Sequence, residues 1–180
     1  MTASRGRPPV LTAEQVLAAA IQCADSEGIA GCTMRAVADR LAVTPMALYR
    51  HVRDKDELLA RIPDVLVMDV TEATARQSSG ILALREIAFG LASVLMAHPW
   101  ATRLFEQPEP GPNMQAAAEH CIGLLVAEGA SVDEALRWIR AVVAQVIGDM
   151  LTAPGRFDSA GVDLLLAAIK NALQGSPGGR

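Results

Sequence analysis

The chain has 180 residues, of which 51% are hydrophobic and 20% are charged, enough for one ordinary domain or a small module joined to a larger one. No apolar run reaches the roughly 18–20 residues that span a bilayer, and no apolar signal core follows the basic N-terminus, so we expect a cytoplasmic protein without a membrane partner. Cys23, Cys32 and Cys121 are odd in number and far apart, which argues against a disulfide or metal set and predicts small buried hydrophobes.

The net charge of −4 conceals an asymmetry along the chain. Residues 1–62 carry eight Lys or Arg against seven Asp or Glu, and residues 63–180 carry eight against thirteen. A net acidic protein is poor evidence for nucleic-acid binding, but the placement of the cations matters more than their total. The first third of the chain, which carries half of the cations, is therefore the candidate location for a nucleic-acid-binding motif.

Helical periodicity runs through almost the whole chain and no segment alternates as a strand, so we predict an all-α fold of about nine helices. Capping and breaking residues place these helices near residues 12–28, 33–40, 44–52, 54–63, 81–97, 100–106, 113–128, 131–153 and 157–173. Pro63 is expected to kink or end its helix. We therefore predict an N-terminal domain of residues 1–62, a second domain of residues 63–174 and a disordered tail of residues 175–180.

The helices at residues 33–40 and 44–52 are joined by a three-residue turn, which is the arrangement of a helix-turn-helix. Six apolar residues are spaced to face one small core: Val37, Ala38, Leu41, Val43, Leu48 and Val52. This core leaves Met46 and Ala47 outside, on the face that a reading helix offers to the major groove. A Met or Ala side chain can pack on a thymine methyl group, so an apolar tip is compatible with base readout.

Polar side chains around the second of these helices are suited to contact with phosphates. Tyr49 and His51 can reach the DNA backbone, and Thr44 can donate its hydroxyl or its backbone N–H group. Lys55 lies in the first turn of the next helix, where its ammonium group and the positive helix end together predict a phosphate site.

The stretch "TMRAVADRLAVTPMALYRHVRDKDELL", residues 33–59, resembles the DNA-binding domain of the tetracycline-repressor (TetR) family of bacterial regulators. The resemblance includes the first helix and a basic arm with Arg5 and Arg7, which can enter a minor groove. Beyond Pro63 it rests only on the number, length and order of the helices. It implies base contacts from Pro45, Met46 and Ala47, backbone contacts from Thr33, Tyr49, His51 and Lys55, and additional contacts from Arg35 and Arg50.

One residue of the turn departs from the family pattern, which usually has Gly where this chain has Ala42. If the turn requires a left-handed residue, Ala costs roughly 1 kcal/mol relative to Gly. Such a cost leaves the motif intact.

The helix at residues 131–153 has one narrow polar stripe and is otherwise apolar, so it needs cover on two sides. Ala141, Ala144 and Gly148 form a track of small residues that lets another helix approach closely. Together with Leu165 and Ile169 of the last helix, they predict a four-helix homodimer interface, as the TetR resemblance also implies. The alternative is that the two helices bury each other within one chain.

The helices between the DNA-binding domain and this interface are candidates to enclose a small molecule. Ten residues are predicted to line the effector pocket: Met68, Phe89, Met96, Trp100, Phe105, Met114, Cys121 and Trp138, with His120 and Gln145 as the polar groups. Methionines suit an adaptable apolar site. The family implies that the ligand favours a state in which the fourth helix and the reading helices no longer fit the DNA.

We therefore predict a ligand-responsive transcriptional regulator, a repressor that binds a pseudo-palindromic operator as a homodimer and is released by a small apolar effector. In the first alternative, a protein partner regulates the C-terminal domain and no small-molecule effector exists. In the second, the chain is a helical enzyme with an incidental helix-turn-helix. The sequence contains no HExxH motif, no CxxC pair and no Gly-rich phosphate loop, so we predict no catalytic residue, metal or cofactor.

Overall fold

The computed structural model describes residues 11–106 and 109–175, and it divides the chain into two compact units after Ala60. Over the described ranges the chain forms nine α-helices and one 3-10 helix, and no strand, which confirms the all-α prediction. The α-helices are α1 (Ala13–Gly31), α2 (Met34–Arg40), α3 (Pro45–Leu48), α4 (Lys55–Leu66), α5 (Met68–Ala75), α6 (Gly80–Ala97), α7 (Pro112–Ala127), α8 (Val132–Thr152) and α9 (Ala160–Gly175), and the 3-10 helix is Pro99–Glu106.

The first helix begins where the sequence predicts, at a capping box. The Thr12 hydroxyl accepts from the Gln15 backbone N–H at 3.3 Å, and the Gln15 side-chain oxygen accepts from the Thr12 N–H at 3.0 Å. Gly28, predicted as the last residue, has φ +72° and interrupts the helix, but the chain resumes a helical turn as far as Gly31. The predicted end therefore marks a break inside α1, because only glycine adopts this conformation without strain.

Helix α3 is shorter than predicted, since it covers four residues and ends at Leu48. Pro45 occupies the first helical position and Thr44 the N-cap position, but the Thr44 side chain makes no capping hydrogen bond. After Leu48 the chain continues as a turn in which the His51 and Val52 N–H groups both donate to the Leu48 carbonyl, at 2.8 and 3.1 Å. The residues that follow Leu48 are thus held by turn hydrogen bonds and not by a continuing helix.

Helix α4 continues through Pro63 to Leu66, so of the two expected effects of Pro63, a kink or an end, the end does not occur at this residue. A proline at this position removes one backbone donor, and the helix ends only one turn later, before a short break at Val67. The division of the chain after Ala60 lies two residues before the predicted domain boundary, within α4. Gly175 is the last residue of α9 and does not belong to a tail, and the remaining predicted tail lies outside the described residues.

The C-terminal unit, from Arg61 onward, is built around α6, which contacts α5, α7, α8 and α9. Its core is formed by apolar side chains that are almost completely buried, including Leu84, Leu91, Leu95, Leu125, Val142, Val146, Met150 and Val162. Burial of each such side chain contributes about 1.5–3 kcal/mol. This core therefore accounts for the apolar inner faces of α6 and α8.

Helix α6 is the most apolar long helix among the described residues. Within the described residues it is the one helix that is long and apolar enough to cross a membrane, with 18 residues and a mean hydropathy of 1.7. Arg85 and Glu86 interrupt its apolar run, which is why no uninterrupted span was predicted. In the structure α6 packs as the central helix of the C-terminal unit, which explains its apolar character.

Asp64, near the end of α4, caps the first turn of α7. Its carboxylate accepts from the Met114 backbone N–H at 3.0 Å and from the Asn113 side-chain amide at 3.2 Å. The Asn113 amide also donates to the Asp64 backbone carbonyl at 3.0 Å. A Cβ atom at Gly111 would collide with the Asp64 carboxylate, so the close approach requires glycine there.

Candidate nucleic-acid interface

A Schellman motif connects α2 to α3 in the N-terminal unit. The Val43 N–H donates to the Ala38 carbonyl at 3.0 Å and the Ala42 N–H donates to the Asp39 carbonyl at 3.1 Å. Ala42 has φ +54°, so it occupies the left-handed position where the family usually has Gly. The turn does require a left-handed residue, and Ala42 adopts that conformation at a cost in strain energy.

The predicted core of the helix-turn-helix is buried as its spacing indicates. Val37, Ala38, Leu48 and Val52 are at most 3% exposed, and Leu41 and Val43 are half-buried. At α2, the Thr33 hydroxyl accepts from the Ala36 N–H at 3.1 Å and begins the helix. The motif is therefore a packed scaffold that holds α3 against α2.

The four apolar residues of α3 are divided between the surface and this core. Met46 is 71% exposed, Pro45 is exposed and Ala47 is half-buried, whereas Leu48 is fully buried. Single exposed apolar side chains are common on protein surfaces, but Pro45 and Met46 are exposed side by side and leave the outer face of this turn apolar. The structure thus brings the three predicted base-reading residues together on one exposed turn.

The residues that are predicted to contact the DNA backbone differ in solvent exposure. Thr44 and Arg50 are exposed, and the structure gives the Thr44 hydroxyl no capping role. Tyr49 is 48% exposed, so about half of its surface is in contact with solvent and the rest packs on the protein. Thr33 is exposed while its hydroxyl caps α2, and His51 is half-buried.

The remaining residues that are predicted to contact DNA are Arg35 and the two cations of the N-terminal arm. Arg35 is exposed and lies 3.9 Å from the Asp39 carboxylate, a solvent-exposed pair of low energetic value that leaves the guanidinium accessible. Arg5 and Arg7 lie outside the described residues.

The Lys55 side chain forms a hydrogen bond within the N-terminal unit. Its Nζ donates to the Ile29 backbone carbonyl at 2.9 Å, in the last turn of α1. The first turn of α4 also carries the carboxylates of Asp56 and Glu57, and the Asp54 side chain accepts from the Glu57 N–H at 2.8 Å. The Lys55 ammonium group, which was predicted to bind a phosphate, thus donates one hydrogen bond within the chain. It retains two further donors.

Two arginines near the motif, Arg53 and Arg40, have side-chain partners that were not predicted from the sequence. Arg53 pairs with Glu57 at 2.9 Å, and the hydrogen bond and charge of Glu57 raise the pKa of Arg53. The Arg40 guanidinium donates to the Ser26 hydroxyl at 2.9 Å. The spacing of four residues signals the first pair, but no local pattern signals the second because its residues are fourteen positions apart.

The ten predicted effector-pocket residues all lie in the C-terminal unit, but they differ in burial. Cys121 is fully buried, and burial raises the pKa of its thiol to about 12. Met68 and Met96 are 50% and 42% exposed, so these two are not enclosed by the chain. The half-buried remainder are Phe89, Trp100, Phe105, Met114, His120, Trp138 and Gln145.

The two polar residues of the predicted pocket have partners within the C-terminal unit. His120 Nε2 lies 3.0 Å from the Gln77 carbonyl, and Gln145 donates to the Asp149 carboxylate at 2.9 Å. The other oxygen of Asp149 is buried without a hydrogen-bond partner. Gln145 thus orients a carboxylate whose second oxygen is left to accept a further donor.

A pocket of about 420 Å³ opens elsewhere on the C-terminal unit. It is lined by Ser79, Ile81, Leu82, Glu128, Lys170, Leu173 and Gln174. None of these is among the residues predicted to line the effector site.

The predicted dimer residues are divided between the surface and the core. Ala141 and Ala144 are exposed on α8, and Gly148 and Leu165 are half-buried. Ile169 is only 4% exposed and packs in the core of its own unit, which leaves it almost no surface for a partner chain. The helical period places Ile169 on the same face of α9 as the core residues Val162 and Leu166. In a helix that is apolar all round, periodicity alone does not distinguish the core-facing side from an intermolecular side.

Two exposed leucines on the same helices lie outside the predicted set of dimer residues. Leu151 of α8 is 44% exposed and Leu164 of α9 is 73% exposed. Leu151 continues the track of Ala141, Ala144 and Gly148 at helical spacing, which is the signal that identifies it.

Within the described residues, no group of three or more His, Cys, Asp and Glu side chains is placed to hold a metal ion. Cys23 and Cys32 are buried free thiols, as the sequence analysis predicted. Burial, together with the neighbouring Cys23, raises the pKa of the Cys32 thiol. Both thiols therefore lie in the interior of the N-terminal unit as small apolar groups.

Comparison with known proteins gives matches to the motif and to most of the chain. The family model of bacterial regulatory proteins, tetR family, matches residues 16–62. An HTH-type transcriptional regulator of Saccharopolyspora erythraea is 33% identical over 146 residues, 79% of this chain and 61% of its own length. The HTH-type transcriptional repressor DrrR1 of Streptomyces coeruleorubidus is 34% identical over 148 residues, 81% of this chain and 54% of its own length.

The match to solved structures extends over both units. The crystal structure of BioQ with its double-stranded DNA operator is 27% identical, covers 91% of this chain and 98% of the BioQ chain, and has a TM-score of 0.66. The curated relatives are named as transcriptional regulators or repressors and not as enzymes, but this chain spans only 61% and 54% of the two relatives' lengths. The helix-turn-helix, the alignments beyond it and the shared fold lead to one conclusion: residues 16–62 match the DNA-binding region of the tetR family of bacterial regulatory proteins, and most of the chain is similar to regulators with this motif.

Proposed function

We propose that this protein is a cytoplasmic transcriptional repressor that binds a pseudo-palindromic operator as a homodimer and is released by a small apolar effector. The observation that carries the proposal is the exposed first turn of α3, where Met46 is 71% exposed on a packed helix-turn-helix. A turn of this kind fits the major groove, and Thr44 and Arg50 beside it are exposed and suited to phosphates.

The homodimer is supported by the outer faces of α8 and α9. Ala141 and Ala144 leave a shallow track on α8, and Leu151 and Leu164 expose apolar side chains on the same two helices. Small residues permit close helix approach and the leucines supply apolar area, as a helix-pair interface requires. A two-fold arrangement doubles the contacts of one α3 helix and so selects a palindromic site.

The effector response is supported by the composition of the C-terminal unit. Phe89, Trp100, Met114 and Trp138 pack against its core while remaining half-buried, so three aromatic rings and one adaptable Met side chain lie near its surface. Helix α4 begins before the division of the chain and ends after it, and Asp64 joins its last part to the start of α7. We propose that a ligand among these helices changes the position of α4, which then lowers the population of the DNA-binding state.

The test is a selection of bound fragments from random double-stranded DNA, with the mass of the protein measured in solution. Enrichment of a palindromic site and a dimeric mass at micromolar concentration are expected. Absence of any enriched palindrome overturns the assignment as a DNA-binding regulator. Repeating the selection with a ligand library separates an effector-released repressor from a protein regulated by a protein partner, since only the former loses the site in the presence of a small molecule.

The proposed interface is tested by Ala144→Glu, which introduces a charge into the small-residue track. We expect this variant to be monomeric and to bind the operator at least tenfold more weakly, because each monomer then holds only one half-site. Ala116→Glu makes the same change at an exposed position of α7 and serves as the matched control, with unchanged mass and affinity.

A further inference from the structure

The first turn of α3 carries no side chain that forms a strong hydrogen bond with a base edge. Pro45 has neither a polar side chain nor a backbone N–H group, and Ala47 ends in a methyl group. The thioether of Met46, 71% exposed, is at most a weak acceptor. The exposed surface of this turn is therefore apolar.

Base edges in the major groove differ in what they offer to such a surface. Guanine presents two acceptors, adenine an acceptor and a donor, and cytosine a donor, and the side chains that read them are Arg or Lys, Asn or Gln, and Asp or Glu. None of these six residue types occurs at positions 45–47. The C5 methyl group of thymine is the apolar group available in the groove, and it matches the Met46 side chain in chemistry.

We propose that Met46 reads the C5 methyl group of a pyrimidine, so that the protein accepts thymine or 5-methylcytosine at one position of each half-site and discriminates against uracil and unmethylated cytosine there. This inference rests on the proposed function, which places α3 in the major groove. Its consequence is that methylation of cytosine at C5 strengthens binding at a half-site that contains C·G at this position.

The two methylated bases differ at position 4 of the ring, where thymine has a carbonyl acceptor and 5-methylcytosine an amino donor. No side chain at positions 45–47 distinguishes an acceptor from a donor. The neighbouring Thr44 hydroxyl, which makes no capping bond, both donates and accepts, so it satisfies either group. The shared methyl group is thus the feature that the turn recognises.

The experiment uses the full chain and the operator obtained by the selection described above. In synthetic duplexes, each thymine of a half-site is replaced in turn by uracil, and affinity is measured by fluorescence anisotropy at constant salt. At one position per half-site we expect a loss of about three- to fivefold, the effect of removing one buried methyl group. At that position a 5-methylcytosine·guanine pair is expected to bind about three- to fivefold more tightly than an unmethylated C·G pair.

Met46→Ala is the decisive variant, because its side chain is exposed and its removal leaves the core unchanged. In this variant both methyl effects are expected to disappear, whereas Tyr49→Phe, the control, weakens binding while retaining them. If the operator is bound but no position responds to loss of a methyl group, or if the response persists in Met46→Ala as an effect of DNA shape, the inference is overturned and the proposed function stands. Absence of any operator overturns both.

Discussion

The Lys55 ammonium group donates a hydrogen bond to the Ile29 backbone carbonyl at 2.9 Å, which joins the start of α4 to the last turn of α1. Ile29 follows the break at Gly28, where the regular hydrogen bonding of α1 is interrupted. A cation at a helix C-terminus satisfies an unpaired carbonyl and interacts favourably with the helix dipole. Lys55 therefore stabilises the N-terminal unit, and any phosphate contact that it makes uses its remaining donors.

We predict that Lys55→Ala lowers the free energy of unfolding by about 1–2 kcal/mol, because a partly buried carbonyl loses a charged donor. Urea denaturation followed by circular dichroism measures this change. The same variant is expected to lower the magnitude of the slope of the logarithm of the operator-binding constant against the logarithm of salt concentration by about 1, the contribution of one phosphate contact.

Arg50→Ala is the matched control for this prediction, since Arg50 is exposed and has no hydrogen-bond or ion-pair partner among the described residues. It is expected to lower the salt dependence by about one contact without a change in stability. Unaltered stability in Lys55→Ala contradicts the structural role of the lysine.

We predict that Ala42→Gly stabilises the protein by roughly 0.5–1 kcal/mol. Ala42 has φ +54°, and glycine adopts a left-handed conformation without steric cost, although it loses more backbone entropy on folding. Ala36→Gly, inside α2, is the control and is expected to destabilise by about 1 kcal/mol. Opposite signs for the two substitutions in urea unfolding are the result expected, and destabilisation by both rules out strain at position 42.

We predict that Asp64→Ala lowers the free energy of unfolding by about 1–2 kcal/mol, because the first turn of α7 loses its capping acceptor and the Asn113 amide loses a partner. Asp64→Asn retains one side-chain oxygen and is expected to recover part of this loss. Glu119→Ala, at an exposed position of α7, is the control and is expected to change stability by less than about 0.5 kcal/mol. Equal effects at positions 64 and 119 contradict the capping role.

A pH dependence follows from the capping box of α8. The Ser131 hydroxyl and backbone N–H both donate to the Glu134 carboxylate, at 2.6 and 2.9 Å, and hold the pKa of Glu134 below its ordinary value of 4.5. A carboxyl group with a lowered pKa stabilises the folded state above its ordinary pKa, and this stabilisation is lost as the pH falls through the lower, folded-state value.

The melting temperature, measured from about pH 6 to pH 3, is therefore expected to fall less steeply in Glu134→Gln than in the unmodified chain. Glutamine still caps the helix but does not titrate, which makes it the matched variant. Identical pH profiles for the two proteins contradict a contribution from Glu134.

Residues near one another in the chain were predicted well. The starts of the first two helices follow from local spacing, because the hydrogen bonds of a helix N-terminus, here from the Gln15 N–H to Thr12 and from the Ala36 N–H to Thr33, join residues two or three positions apart. The buried positions of Leu48 and Val52 and the exposed position of Met46 follow from the helical period and from the small size of the motif.

The sequence by itself determined that the chain is helical, that it contains a helix-turn-helix and that the tip of its reading helix is apolar, since each of these depends on interactions between neighbouring residues. Only the tertiary structure decided that Lys55 bonds to α1, that Asp64 caps α7 and that Ile169 belongs to the core. The partners in the two hydrogen bonds are separated by 26 and 50 positions. No local pattern encodes such pairs, because they form only when packing of the apolar faces brings distant helices together.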